Sequence, residues 1–240
     1  MRVTAIIPAR YKSTRFTGKP LAEICGKPMI QHVYQQTKMV EGMDQVIVAT
    51  DDQRIYRAVE KFDGEVTMTS SQHRSGTDRI AEVAGSLDTD LIVNVQGDEP
   101  LIKPEMIERA MEPFTDEPEL EMSTLRKKIN NLGEIKNPNV VKVVTDKKNY
   151  ALYFSRSPIP YQREGNPEYY KHIGLYVFRR DFLLKYSQLN PTPLEKAESL
   201  EQLRALENGH KIKVVETDYE VIGVDQPQDI EKVEKILKNK

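Results

Sequence analysis

A single cysteine, Cys25, rules out an internal disulfide; it reads as a small buried filler rather than an activated nucleophile, and a reducing cytoplasm suits it. Histidine is scarce too. His32, His73, His172 and His210 stand too far apart for a local zinc motif, which leaves carboxylates as the candidates for holding a metal. No apolar stretch approaches the roughly 20 residues of a spanning helix, and the N-terminus lacks the apolar core of a signal peptide. A soluble protein with no membrane partner is expected. An excess of charge of one sign is also missing: 35 Lys and Arg against 37 Asp and Glu give a formal net charge of -2. Nothing draws the whole chain to nucleic acid, so any anion binding must be local. No two glycines form a G-x-G, which excludes the dinucleotide fingerprint, and Gly26-Lys27 runs into Pro28, which excludes the P-loop.

What is present is an alternation of apolar runs and amphipathic stretches. Strands are expected at 3–8, 45–49, 65–68 and 91–95, with helices at about 28–41, 53–62 and 77–86 between them. That is the rhythm of a parallel α/β sheet. A helix over 104–112, strands at 120–127 and 140–145, a helix at 197–208, a strand at 211–216 and a closing helix at 227–238 follow. The segment 151–177, rich in aromatics and broken by Pro158, Pro160 and Pro167, predicts a strand pair or arm outside the main alternation. A chain of 240 residues without linker or repeat is counted as one domain, 1–240.

The chemistry concentrates directly after the first strand. Arg10, Lys12, Arg15 and Lys19 set four cations in one loop. In open α/β sheets ligands bind beyond the carboxyl ends of the strands, so this loop points to a polyphosphate held by guanidinium forks and ammonium charges, with Gly18 permitting the turn. Asp98 follows the strand 91–95 through Gly97 and reaches the same edge as a metal ligand; Glu99 beside it reads as facing water. Magnesium suits a few carboxylates combined with substrate phosphates. Asp225, before Gln226-Pro227, reads equally as a metal ligand and as a helix N-cap. Taken alone, Ser75-Gly76-Thr77 is another N-cap.

The string Pro8-Ala9-Arg10-x-x-Ser13-Thr14-Arg15-x-x-Gly18-Lys19-Pro20-Leu21 resembles the opening of the sugar-activating nucleotidyltransferases, and most closely the group of 3-deoxy-manno-octulosonate cytidylyltransferases. Later strings extend the resemblance in unbroken order over essentially the whole chain. They are Val48-Ala49-Thr50-Asp51, Ser75-Gly76-Thr77-Asp78-Arg79, Val93 to Pro100, Tyr150 to Arg156, His172-Ile173-Gly174-Leu175-Tyr176, Leu200 to Arg204 and Gly223-Val224-Asp225. Asp78 and Thr17 depart from it mildly, where Glu and Pro are usual.

The resemblance implies a single Rossmann-like, mostly parallel sheet flanked by helices, of the nucleotide-diphospho-sugar transferase type. A small β arm near 151–177 would pair two subunits into a homodimer. It implies transfer of CMP from CTP to an acidic eight-carbon sugar, 3-deoxy-D-manno-octulosonate (Kdo), for lipopolysaccharide. Lys19, Asp98 and Asp225 are then catalytic, the two aspartates holding Mg²⁺. Ala9, Arg10, Ser13, Arg15, Lys19, Ser75 and Gly76 bind CTP; Gln96, Arg156, His172, Tyr176, Glu201 and Gln202 lie at the sugar. By type, Arg156 can fork onto a carboxylate, and the amides and Glu201 can take hydroxyls. A transferase for the 8-amino analogue or another acidic sugar, a uridylyl- or molybdopterin-type transferase, and a silent nucleotide-binding module are the alternatives. Intact Lys19, Asp98 and Asp225 argue against the last.

Overall fold

Val3, Ile6 and Ile7 place β-branched side chains on both faces of strand β1 (Val3–Ala9), and every residue of it except Pro8 is buried. That is the pattern of a strand covered on two sides in a parallel sheet. The computed structural model describes residues 1–12, 16–73 and 75–238, and the chain forms two compact units. The first is Met1–Glu108 with Val221–Lys240; the second is Arg109–Glu220.

In the first unit β1 is followed by a ribbon of β2 (Glu23–Ile24) and β3 (Lys27–Pro28), then α1 (Met29–Lys38), β4 (Gln45–Thr50), α2 (Gln53–Glu60), β5 (Glu65–Met68), α3 (Gly76–Gly85) and β6 (Leu91–Asn94). The chain leaves this unit within α4 (Pro104–Met111). Strands run β6-β1-β4-β5, all parallel, with Ile6 opposite both Ile47 and Asn94. The helices start where local chemistry says they should. Asp52 caps α2 by accepting from the N–H of Arg54, and Ser75 and Asp78 form a reciprocal capping box on α3. Asp serves there as Glu would, which removes any structural weight from that departure.

The ribbon was not expected. Its turn residues Cys25 and Gly26 both take positive φ, 47° and 78°, the geometry of a type I′ hairpin turn. Cys25 is therefore exposed and not a core filler, with its N–H donated to Oε1 of Glu234 at 2.8 Å. Beneath it Ile24 and Met29 pack with Leu101, Val224 and Val233, the last on the closing helix Gln228–Lys238. Burying a side chain such as Val224 contributes on the order of 1.5–3 kcal/mol. This cluster brings the segment before that helix onto the loop after β6, where the N–H of Val224 donates to the carbonyl of Asp98 at 2.9 Å.

The second unit opens with the short α5 (Pro113–Asp116), then β7 (Met122–Lys128), α6 (Leu132–Lys136), β8 (Lys142–Thr145), β9 (Ala151–Ser155), β10 (Tyr170–Arg179), α7 (Arg180–Tyr186), α8 (Pro193–Glu198), α9 (Leu203–Glu207) and β11 (Ile212–Glu216). β7 pairs antiparallel with β10 and parallel with β11. The strand pair expected within 151–177 takes another form. β9 and β10 do not pair with one another; each flanks β8, antiparallel. The single helix expected at 197–208 is also two helices, because Ser199 adopts a left-handed φ of 52° that ends α8 before α9 begins. Among the described residues no helix is long and apolar enough to cross a membrane.

Candidate active site

Lys19 stands at the start of a one-turn 3₁₀ segment, Lys19–Leu21, behind Gly18. Gly18 has φ 73°, a conformation that glycine adopts without strain, and its N–H closes the loop onto the carbonyl of Tyr11 at 2.8 Å. The ammonium of Lys19 then reaches Oδ2 of Asp98 at 2.5 Å and Oδ1 of Asp225 at 3.8 Å, with the lysine side chain 14% exposed. Two carboxylates far apart in the sequence thus converge on one cation. Gly97 is needed for a reason other than a sharp turn: a Cβ on it would lie 2.9 Å from the carbonyl oxygen of Pro8. Only glycine lets the Asp98 loop press against the end of β1.

Elsewhere in the same unit, Ala9 is buried at the end of β1 opposite Thr50. Gly76 would put a Cβ 3.5 Å from the ring of Pro8, so the start of α3 abuts the end of β1. Ser75 is occupied as the cap of α3, through its Oγ and the N–H of Asp78 at 3.1 Å. Arg79, fully buried, donates to the Thr69 hydroxyl and lies 3.2 Å from Asp51, fixing α3 to the ends of β4 and β5. Arg10 is exposed, and Gln96 is half-buried and accepts the N–H of Glu99 at its carbonyl, 3.3 Å away. Ser13 and Arg15 lie outside the described residues.

Glu99 corrects the reading that it faces water. Its Oε2 is buried without a hydrogen-bond partner among the described residues, and burial together with the neighbouring charge of Asp98 pushes its carboxyl up to about 8. Nothing in its sequence position distinguishes it from a solvated glutamate.

The residues expected at the sugar, apart from Gln96, lie in the second unit. His172 and Tyr176 flank a bulge in β10 between Ile173 and Tyr176. Oγ1 of Thr124 organises that bulge, 3.0 and 2.8 Å from the carbonyls of Ile173 and Leu175 and 3.0 Å from Nε2 of His172. The imidazole meets Phe154 edge-on, centroids 4.9 Å apart, and lies 5.4 Å from the Tyr176 ring. Burial lowers His172 to about 3, so it is a neutral hydrogen-bonding group at working pH. Burial, then the charge of Glu201, raises the Tyr176 hydroxyl well above its usual range. Gln202 is 4% exposed, and its Nε2 has no hydrogen-bond partner among the described residues. Tyr186 donates to the carbonyl of Glu201 at 2.6 Å.

Arg156 is engaged within its own unit. Its guanidinium donates to the carbonyls of Glu198 at 2.7 Å, Pro138 at 2.9 Å and Ser199 at 3.3 Å. A guanidinium has five N–H groups, so with these partners among the described residues one hydrogen remains on each terminal nitrogen.

A family model described as cytidylyltransferase matches residues 4–212. The chain belongs to the cytidylyltransferase family. A relative from Geotalea uraniireducens, 3-deoxy-manno-octulosonate cytidylyltransferase, is 58% identical over 250 residues, covering 99% of this chain and 100% of its own. Among solved structures, CMP:2-keto-3-deoxy-manno-octonic acid synthetase complexed with CTP superposes with a TM-score of 0.96 at 46% identity, covering 100% of this chain and 99% of that one. The 4-diphosphocytidyl-2C-methyl-D-erythritol synthase of Anaerococcus prevotii, 18% identical with a TM-score of 0.64, shares the fold. As in these cytidylyltransferases, the fold is α/β, its sheet pairing mostly parallel and flanked by helices.

Proposed function

We propose that this cytidylyltransferase transfers CMP from CTP to Kdo and releases pyrophosphate, serving lipopolysaccharide assembly. The observation that carries the chemistry is the convergence of Lys19, Asp98 and Asp225 in the first unit. Full-length identity of 58% to a relative named for Kdo supports the acceptor.

The anomeric hydroxyl of the sugar attacks the α-phosphate of CTP, and pyrophosphate leaves. Positioning and charge neutralisation dominate such transfers. Arg10, Ser13, Arg15 and Lys19 hold the triphosphate, and Lys19 turns from the carboxylates toward the charge that grows on the leaving group. Ala9, Ser75 and Gly76 bound the cytosine. Gln96, Arg156, His172, Tyr176, Glu201 and Gln202 bind the acid: Arg156 through its two remaining hydrogens, neutral His172 and Tyr176 through hydrogen bonds. No covalent enzyme intermediate is required.

Two hard carboxylates drawn together by one ammonium fit Mg²⁺, and among the described residues no larger cluster of metal ligands competes. Asp98 and Asp225 would hold the ion, with phosphate oxygens and waters completing its shell. When bound, Mg²⁺ supplies charge for the α-phosphate and lowers the pKa of the attacking hydroxyl. We further propose a single functional domain over 1–240, cytoplasmic, that works as a homodimer paired through the arm near 151–177.

The test is pyrophosphate release over a grid of CTP, UTP and ATP against Kdo, its 8-amino analogue and a nonulosonic acid. Turnover is expected with CTP and Kdo and to need Mg²⁺. Preference for UTP, or for the amino sugar, would overturn the assignment.

A further inference from the structure

Lys142 is fully buried in the second unit, with no carboxylate in contact among the described residues. Its three ammonium hydrogens meet three backbone carbonyls: Asn137 at 3.0 Å, Val140 at 2.6 Å and Arg156 at 2.5 Å. Arg156 continues the chain of contacts to the carbonyls of Pro138, Glu198 and Ser199. Glu198 closes it, accepting the N–H of Arg156 at 2.9 Å and the hydroxyl of Ser155 at 2.7 Å. Three segments remote in sequence, 137–142, 155–156 and 198–199, are thereby tied through two cations and one carboxylate. An ammonium has three donors and no acceptor, so this tripod is saturated and fixes direction as well as distance.

What it fixes is the turn after α8. Ser199 holds a left-handed φ of 52°, a conformation that non-glycine residues keep only when their surroundings over-determine it. Arg156 grips the Ser199 carbonyl on one side. On the other, Leu200 N–H donates to the carbonyl of Glu195, whose carboxylate pairs with Arg204. Glu201 and Gln202 come next, the latter with its buried amide nitrogen lacking an acceptor among the described residues.

We propose that Lys142, Arg156 and Glu198 act as one positioning knot that sets the 199–202 turn, and with it Glu201 and Gln202, for the acceptor sugar. The inference rests on the acceptor role of those two residues proposed above. Lys142 and Glu198 are positioning residues that touch backbone, not substrate. Had Arg156 served only as a fork for the sugar carboxylate, loss of the Lys142 ammonium would leave sugar affinity intact.

The experiment compares full-length wild type with Lys142→Met and Glu198→Gln. The second variant keeps one acceptor oxygen and turns the other into a donor, so either the Ser155 hydroxyl or the Arg156 N–H loses its partner, and it tests the knot even where burial of an altered residue 142 prevents folding. Michaelis constants for Kdo and CTP are measured by pyrophosphate release, and amide hydrogen exchange is followed over 199–203. Misplacement by a fraction of an ångström is expected to raise the Kdo constant about tenfold or more, leave that for CTP within about twofold, and speed exchange in the turn. Equal losses for both substrates with a lowered melting temperature would overturn the proposal in favour of general stability. Unchanged exchange and unchanged constants would overturn the knot itself. Faster exchange with an unchanged Kdo constant would keep the tie but refute the acceptor role of Glu201 and Gln202.

Discussion

Burial of His172 predicts a specific loss of stability in mild acid. The imidazole sits against Phe154 and Thr124, and its pKa falls from 6.5 to about 3. The native protein keeps it neutral where the unfolded chain protonates it. Its contribution to stability is therefore complete above 6.5 and is lost progressively as pH falls from 6.5 toward 3. About pH 5 lies roughly 1.5 pH units below the unfolded pKa, and at about 1.4 kcal/mol per unit the protonated unfolded chain is favoured by about 2 kcal/mol. His172→Gln keeps an N–H for Thr124 but cannot titrate. Urea unfolding of both proteins at neutral pH and at about pH 5 isolates the term as a double difference, because all other titrations cancel. A double difference of about 2 kcal/mol is expected, with the histidine carbon-bound proton showing no shift change by NMR down to about pH 5. A double difference near zero, or a resonance titrating near the ordinary 6.5, would refute the buried, neutral imidazole and with it the hydrogen-bonding role assigned to His172.

Asp98→Asn should lower turnover on the order of 10²–10³-fold without changing the melting temperature appreciably, since it removes a charge and adds no bulk; wild-type turnover at saturating Mg²⁺ would remove Asp98 from the chemistry. Lys19→Ala should lower kcat by a comparable factor, and a change confined to the CTP Michaelis constant would make Lys19 a uniform-binding residue. Gly97→Ala should cost about 1–3 kcal/mol in urea unfolding, because the new Cβ meets a backbone oxygen at 2.9 Å and the Pro8 and Asp98 segments must part; unaltered stability would show that the loop yields freely.

The residues that the sequence made legible are those whose role depends on their own strand. Val3 to Ile7 and Leu91 to Val93 are buried from both sides, so their β-branched runs announce a parallel sheet, and the ends of β1 and β6 had to bring Lys19 and Asp98 to one edge. Asp225 is different. It arrives because Val224 is buried among Ile24, Met29, Leu101 and Val233, partners drawn from distant parts of the chain that no local pattern identifies. The same applies to Cys25, lifted into solvent by a two-residue turn, and to Glu99, buried beside a residue that looks no different in sequence. The stretch 197–208 carries leucines at helical spacing, yet Ser199 breaks it because Arg156 and Glu195 hold its neighbours from either side. Residue type thus gave Arg156 its capacity to fork, while three carbonyls from two remote segments set what it grips. Chemistry that depends on a side chain's type can be read along the chain; chemistry that depends on which carbonyls surround it comes only with the fold, and Arg156, with carbonyls of Pro138, Glu198 and Ser199 around it, is of the second kind.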